Sequence, residues 1–130
     1  MLAEIVWDHG KESVASVGEL DASLDRIAMS IPVEQPAGVE IVRANGDCLL
    51  IVLGMSMTLL NFVAASSEPP YFTSVGNREA EGLFTFFVSG GYPTEVPRIY
   101  LIGIGEGRSA LREFVTMESG LPTTIVWEMD

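Results

Sequence analysis

Gly103, Gly105 and Gly107, interleaved with Ile104 and Glu106, come nearest of any residues in the chain to a chemical motif. They follow an apolar stretch and open an amphipathic one, the place where a dinucleotide-binding turn lays its backbone against a pyrophosphate. That fingerprint needs a glycine at its sixth position for helix–strand packing, and Arg108 stands there. Glu128 occupies the end of the next strand, where a ribose-binding carboxylate would be wanted, but only Met129 and Asp130 follow it. The expected role is a strand-to-helix turn, and a small nucleotide- or ligand-binding domain using Gly103–Gly107 is the alternative function. No Gly-Lys-Ser/Thr phosphate loop occurs, and the one lysine, Lys11, lies elsewhere.

The other reactive types are too few to build a catalytic or metal site. One histidine, His9, and one cysteine, Cys48, cannot supply the soft ligands of a zinc site. A Ser-His-Asp triad would have to use His9, which falls in an expected turn beside Asp8 and reads as an exposed turn residue. Glu79 and Glu81 could do acid–base work in principle, but in a loop they read as solvated or partner-facing. No Asp-x-Asp-x-Asp-Gly calcium loop is present. The expectation is a protein with no catalytic residues, no metal and no cofactor, and not an enzyme.

The 130 residues carry 18 Asp and Glu against 7 Lys and Arg, a net charge of −11, yet 48% are hydrophobic. That hydrophobic share separates the chain from acidic disordered sequences, and the length suits one domain, residues 1–130. The charge argues against nucleic acid or an anionic membrane as partner, because phosphates demand a basic face. It permits the opposite partner, a basic protein or a cation. The single cysteine excludes an internal disulfide framework and fits a reducing compartment. The opening Met1-Leu2-Ala3-Glu4 lacks the cationic start of a secretory signal, so a cytoplasmic location is expected. The apolar stretch from Cys48 to Ala65 holds Gly54, Ser56, Thr58 and Asn61. Two buried strands joined at Gly54-Met55-Ser56 account for it better than a membrane span.

Those residues need a frame. Leu2 to Trp7 and Glu12 to Ala15 read as a hairpin around Asp8-His9-Gly10-Lys11. Ser16-Val17-Gly18-Glu19 is a capping box. Behind it Val17, Leu20, Leu24, Ile27, Ala28 and Ile31 make one helical stripe, with Asp21, Ser23, Asp25 and Arg26 on the other face. Pro32 ends the helix. Val39 to Ala44 and Cys48 to Leu53 form a hairpin at Asn45-Gly46, and Met57 to Ala64 is a third strand. Tyr71 to Val75 and Leu83 to Ser89 read as another hairpin. A loop at Gly90-Gly91-Tyr92-Pro93 then leads to a short strand from Arg98 to Ile102. A second helix from Glu106 to Glu118 stops at Gly120, and Thr123 to Glu128 is the last strand. The order is ββ-α-β(5–6)-α-β, an α+β fold with a largely antiparallel sheet and two helices packed on it. Trp7 and Trp127 read as core anchors at strand ends, so that the neighbouring Asp8 and Glu128 point away from the core.

Across nearly the whole chain a family pattern emerges. It is carried by EIVWDHG (Glu4 to Gly10), VGELDASLDRIA (Val17 to Ala28), FFVSGGYPTEVP (Phe86 to Pro97) and ALREFVTMESGLPTTIVWE (Ala110 to Glu128). In that order these motifs resemble the Imm-one immunity-protein family of bacterial polymorphic toxin systems, in its actinobacterial form. The region from Val39 to Ala80 departs from the pattern. The resemblance implies an inhibitor that binds and neutralises a cognate secreted toxin, a nucleic-acid deaminase, by blocking its active site or substrate cleft. It supplies no catalytic residues. Loop position and chemistry then single out the partner-binding candidates: Asp8, Asp47, Glu68, Glu79, Glu81 and Glu95, with Tyr71, Phe72 and Tyr92 beside some of them as either strand-end packing or aromatic anchors.

Overall fold

The six residues Cys48 to Leu53 are apolar without alternation, and a strand of that kind has to be covered on both faces. The computed structural model, which describes residues 1–8, 10–88 and 91–130, covers it on both. The expected turn position of His9, and those of Ser89 and Gly90, lie outside the described residues. The strands are β1 (Ala3–Trp7), β2 (Gly10–Val14), β3 (Ala37–Arg43), β4 (Cys48–Leu53), β5 (Met57–Thr58), β6 (Leu60–Val63), β7 (Phe72–Val75), β8 (Leu83–Val88), β9 (Tyr92–Pro97), β10 (Ile102–Gly103) and β11 (Val126–Met129). Helix α1 spans Val17–Ser30 and α2 spans Ile104–Thr116.

The main sheet runs β11-β7-β6-β4-β3-β1-β2, and each neighbouring pair is antiparallel. The β8–β9 hairpin joins it through one parallel bridge, Ala37 to Phe87. A small second sheet pairs β5 with β10. The expected α+β architecture, a large antiparallel sheet with two helices, is what the chain adopts. On the inner face, Leu49, Ile51 and Leu53 of β4 share one core with Leu20, Leu24 and Ile27 of α1 and Leu111, Phe114 and Val115 of α2. On the outer face, Val52 joins Leu59, Phe84, Phe86 and Leu101 in a second core beneath the hairpin. Each fully buried aliphatic side chain contributes about 1.5–3 kcal/mol. Gly38 allows the hairpin its close approach: a Cβ there would lie 3.3 Å from the Phe86 ring and 3.2 Å from Leu50 Cδ1.

The first helix is capped as its sequence demands. The Glu19 N–H donates to Ser16 Oγ at 3.1 Å, and the Ala15 N–H donates to Glu19 Oε2 at 2.8 Å. Ser23, expected on the outer face, is buried because its hydroxyl donates to Glu12 Oε1 at 2.6 Å, the carboxylate that also holds Arg26. Asp21 and Asp25, on the polar side of α1, meet Arg108 and Arg112 of α2 at 3.0–3.2 Å and tie the two helices together.

Six expectations need correction. The third strand breaks at Leu59, because Thr58 Oγ1 takes both the N–H and the carbonyl of Val52 at 2.9 and 2.8 Å and leaves Leu59 to enter the outer core. Tyr71–Val75 and Leu83–Ser89 do not pair; β7 lies between β6 and β11, while β8 pairs with β9. Tyr92 and Pro93, expected in a loop, open a strand, Tyr92–Pro97, which tolerates Pro93 and Pro97 because β8 is its one partner among the described residues. Arg98–Tyr100 is a 3₁₀ turn, not a strand. The second helix begins at Ile104, whose N–H donates to the Ser56 carbonyl at 2.9 Å, and the last strand shifts to Val126–Met129.

One polar cluster lies inside the packing. The Arg43 side chain is 1% exposed, and its Nη2 meets Asp47 Oδ2 at 2.6 Å. The same guanidinium donates to the carbonyls of Phe114 at 3.1 Å and Gly120 at 2.9 Å, and it lies 4.2 Å from the Phe114 ring centroid. Asn45 bridges from Asp47 to the Glu118 carbonyl, and Asp47 Oδ1 accepts from the Ala65 N–H at 3.0 Å. Burial pushes the Asp47 carboxyl up, but the hydrogen bonds from Arg43, Asn45 and Ala65 outweigh it and hold the group below its ordinary value. A carboxyl lowered by folding stabilises the protein above its ordinary pKa, and that contribution drains away as pH falls through the lower folded value. Thermal melts from neutral to acid pH should therefore show the wild type converging on Asp47→Asn as acid rises. Arg43→Met strands a buried carboxylate and should cost about 3 kcal/mol or more in denaturant unfolding.

Candidate functional site

Strand alternation assigns a direction to every side chain of the hairpin. Phe84, Phe86, Thr94 and Val96 point at the sheet, while Leu83, Thr85 and Phe87 point outward beside Pro97, Glu95 and Pro93. The outward side carries exposed apolar surface, with Leu83 57% accessible. At one end of the hairpin Tyr92, which alternation puts on the side of Thr94 and Val96, is 69% exposed beyond the edge of the sheet-facing packing. At the other end the β7–β8 connection presents Glu79 and Glu81, both exposed. A six-residue strand separates these ends by about 20 Å.

The ridge begins at a cleft. β1 pairs with β3 only from Glu40 onward, and the start of β3 is paired with β8 at Ala37 instead. The fork leaves a cavity of about 410 Å³ lined by Trp7, Asp8, Pro32, Gly38 and Phe87 among others. Asp8 is exposed there, in the left-handed region at φ 46°. The β7–β8 connection, the outward face of the hairpin and this fork thus carry the exposed acids Glu79, Glu81, Glu95 and Asp8.

The remaining sequence candidates lie elsewhere. Asp47 is a correction: it sits in the expected β3–β4 turn, but it is 8% exposed and committed to Arg43. Buried arginine needs a carboxylate, and that need outranks the turn's usual exposure. Phe72 is a packing residue, edge-on to Phe62 at 6.2 Å. Tyr71 is half-buried and donates its hydroxyl to the Ser67 carbonyl at 2.9 Å. Glu68 is exposed in the β6–β7 loop beside it. Trp127 packs on the inner core with its Nε1–H donating to the Pro122 carbonyl at 2.8 Å, as expected of an anchor.

Sequence reasoning missed a groove on the outer face. Leu50, Leu59, Phe86, Val88 and Val96 form its apolar floor, and Asn61, Thr73, Thr94, Tyr100 and Asp130 its rim, around a volume of about 360 Å³. Tyr100 donates to Glu128 Oε2 at 2.8 Å; that bond, with burial and the nearby carboxylates, pushes the phenol up from its ordinary value. The apolar run in β4 was the one signal of it, since a strand buried on both faces implies a second layer and a seam beside it.

The glycine turn is occupied by packing. Gly107 is buried, and a Cβ there would lie 2.5 Å from Thr58 Cγ2. Glu106 in the first turn of α2 places a carboxylate where a phosphate would need to approach. Among the described residues, no group of three His, Cys, Asp or Glu is placed to hold a metal. Nor is any helix long and apolar enough to cross a membrane.

Compared with known families, residues 8–129 match the family model described as Immunity protein Imm1. No curated protein matches the chain.

Cys48 lies on the outer face of β4, opposite Val42 and Val63. Burial, then the charge of Glu40, pushes its thiol up to about 12. The thiolate is the reactive form, so native protein should resist iodoacetamide at pH 8 while urea-unfolded protein is alkylated. Mass spectrometry of the two reactions reads the difference.

Proposed function

The chain belongs to the Imm1 immunity-protein family, and we propose that it binds the toxin made beside it and blocks that toxin's active site or substrate cleft. The toxin in this reading is a nucleic-acid deaminase, and the encounter takes place in the cytoplasm of the producing cell. The chain acts by occupancy rather than by catalysis.

The observation that carries the charge side of this reading is where the cations are spent. Five of the six arginines sit in ion pairs, with Glu12, Asp47, Glu128, Asp21 and Asp25, so the excess acid is left on the surface. Asp8, Glu79, Glu81 and Glu95 are exposed and make no ion pair among the described residues. An enzyme acting on nucleic acid needs a basic cleft, and an acidic ridge is drawn to such a cleft by long-range attraction. Leu83, Tyr92 and the half-buried Trp7 and Phe87 add apolar area that a tight interface needs at its centre. A standard interface of about 1,600 Å² would span the ridge. Glu68 lies outside it.

Co-expression tests the reading: cells carrying the neighbouring toxin should survive only when this chain is present, and death in its presence defeats the proposal. Replacing both Glu79 and Glu81 by Lys should slow association with the toxin about tenfold or more at low salt and flatten its salt dependence. Stopped-flow mixing measures both.

A further inference from the structure

We propose that the groove between the outer face of the sheet and the β8–β9 hairpin seats an arginine side chain of the toxin. This inference rests on the proposed toxin-binding function and extends it to a site that none of the ridge residues forms.

The groove is an apolar trough with a negative end. Its floor, Leu50, Leu59, Phe86 and Val96, suits the methylene stem of a long side chain. Its volume of about 360 Å³ falls within the range of pre-formed pockets, about 300–1,000 Å³. Asp130, just past the end of β11, is on its rim, and alternation sends Glu128, two residues earlier, to the same face, against the rim residue Tyr100. Each carboxylate is oriented by a hydroxyl from a packed strand or turn. Tyr100 donates to Glu128 Oε2 at 2.8 Å, and Thr73, itself 6% exposed, donates to Asp130 Oδ2 at 3.0 Å. The nearest cation is Arg78, 3.6 Å from the other Glu128 oxygen with a side chain 60% exposed. Two carboxylates facing one loosely held arginine leave this end of the trough net negative.

An apolar ligand would cover that excess negative charge without offsetting it, and an anion would be repelled. A cation on an apolar stem meets both requirements. A guanidinium fits better than an ammonium because its planar fork can bond a carboxylate at two points, and because it gives up less hydration on entering a trough walled by Phe86 and Tyr100. A basic cleft built to hold phosphates offers such arginines on its rim.

The test is equilibrium binding to the toxin domain encoded beside the chain, with three variants of the whole protein. Glu128→Gln combined with Asp130→Asn keeps side-chain size and the acceptors for Tyr100 and Thr73. Its Kd should rise at least about tenfold. Thr94→Trp fills the trough from the hairpin side without changing charge and should give a similar loss. Glu106→Gln combined with Glu118→Gln removes the same two charges from the helix side and should bind within about twofold of wild type. Unchanged thermal melting excludes misfolding. Wild-type affinity in both groove variants overturns the proposal, and so does an equal loss in the helix-side control. Failure of the wild-type chain to bind the toxin overturns the functional reading itself, and that result appears before any variant is made.

Discussion

The buried ion pair between Arg43 and Asp47 is the constraint on which the arrangement of the chain depends. A guanidinium with a side chain 1% exposed tolerates almost no change around it, because every donor it turns inward must find an acceptor. Its acceptors come from three separate parts of the chain: the β3–β4 turn, the last turn of α2, and the segment that follows that helix. Asn45 and the Ala65 N–H extend the network to the end of β6. One side chain thereby fixes where α2 ends and where the chain turns back toward β11. The position of β11 in turn delivers Glu128 and Asp130 to the outer face. The acidic end of the groove is thus linked to an interaction buried on the opposite side of the sheet.

Charge is organised by the same economy. Arginine serves as mortar between elements: buried between strands and helix at Arg43, nearer the surface between hairpin and helix at Arg26, and between the two helices at Arg108 and Arg112. Each such pair neutralises an acid that would otherwise face water. What remains outside is nearly all of one sign. A large net charge costs some stability through self-repulsion, and a domain carrying −11 offsets that cost with two apolar cores rather than one.

Much of the fold was legible because local rules agreed with the tertiary outcome. The capping box at Ser16, the proline stop at Pro32 and the Asn45-Gly46 turn each require only a few neighbouring residues. The family resemblance, read from four motifs, was matched over residues 8–129. What could not be read was partnership at a distance. The pairing of β7 with β11 joins residues some fifty positions apart, and nothing in Phe72–Val75 distinguishes that partner from the nearer β8. The burial of Asp47 depends on Arg43, whose own burial depends on the end of α2, so a turn acid passed for a surface acid. The groove was hidden for the same reason: its floor and rim come from β4, β6, β7 and the hairpin, and no single stretch of sequence contains its shape.

The hairpin is joined to the backbone of the main sheet at one bridge, Ala37 to Phe87, with the Phe87 N–H donating to the Pro36 carbonyl at 2.9 Å. Among the described residues, the underside of Phe84, Phe86, Val88 and Val96 packs it against the outer core. Its outward positions, Leu83, Thr85, Phe87, Pro93, Glu95 and Pro97, therefore carry almost no obligation to the register of the sheet beneath. Mutation can rewrite them while the scaffold keeps its cores, its caps and its buried arginine. The hairpin is thus a separable layer: its outward side chains can change while the register of the sheet beneath is kept.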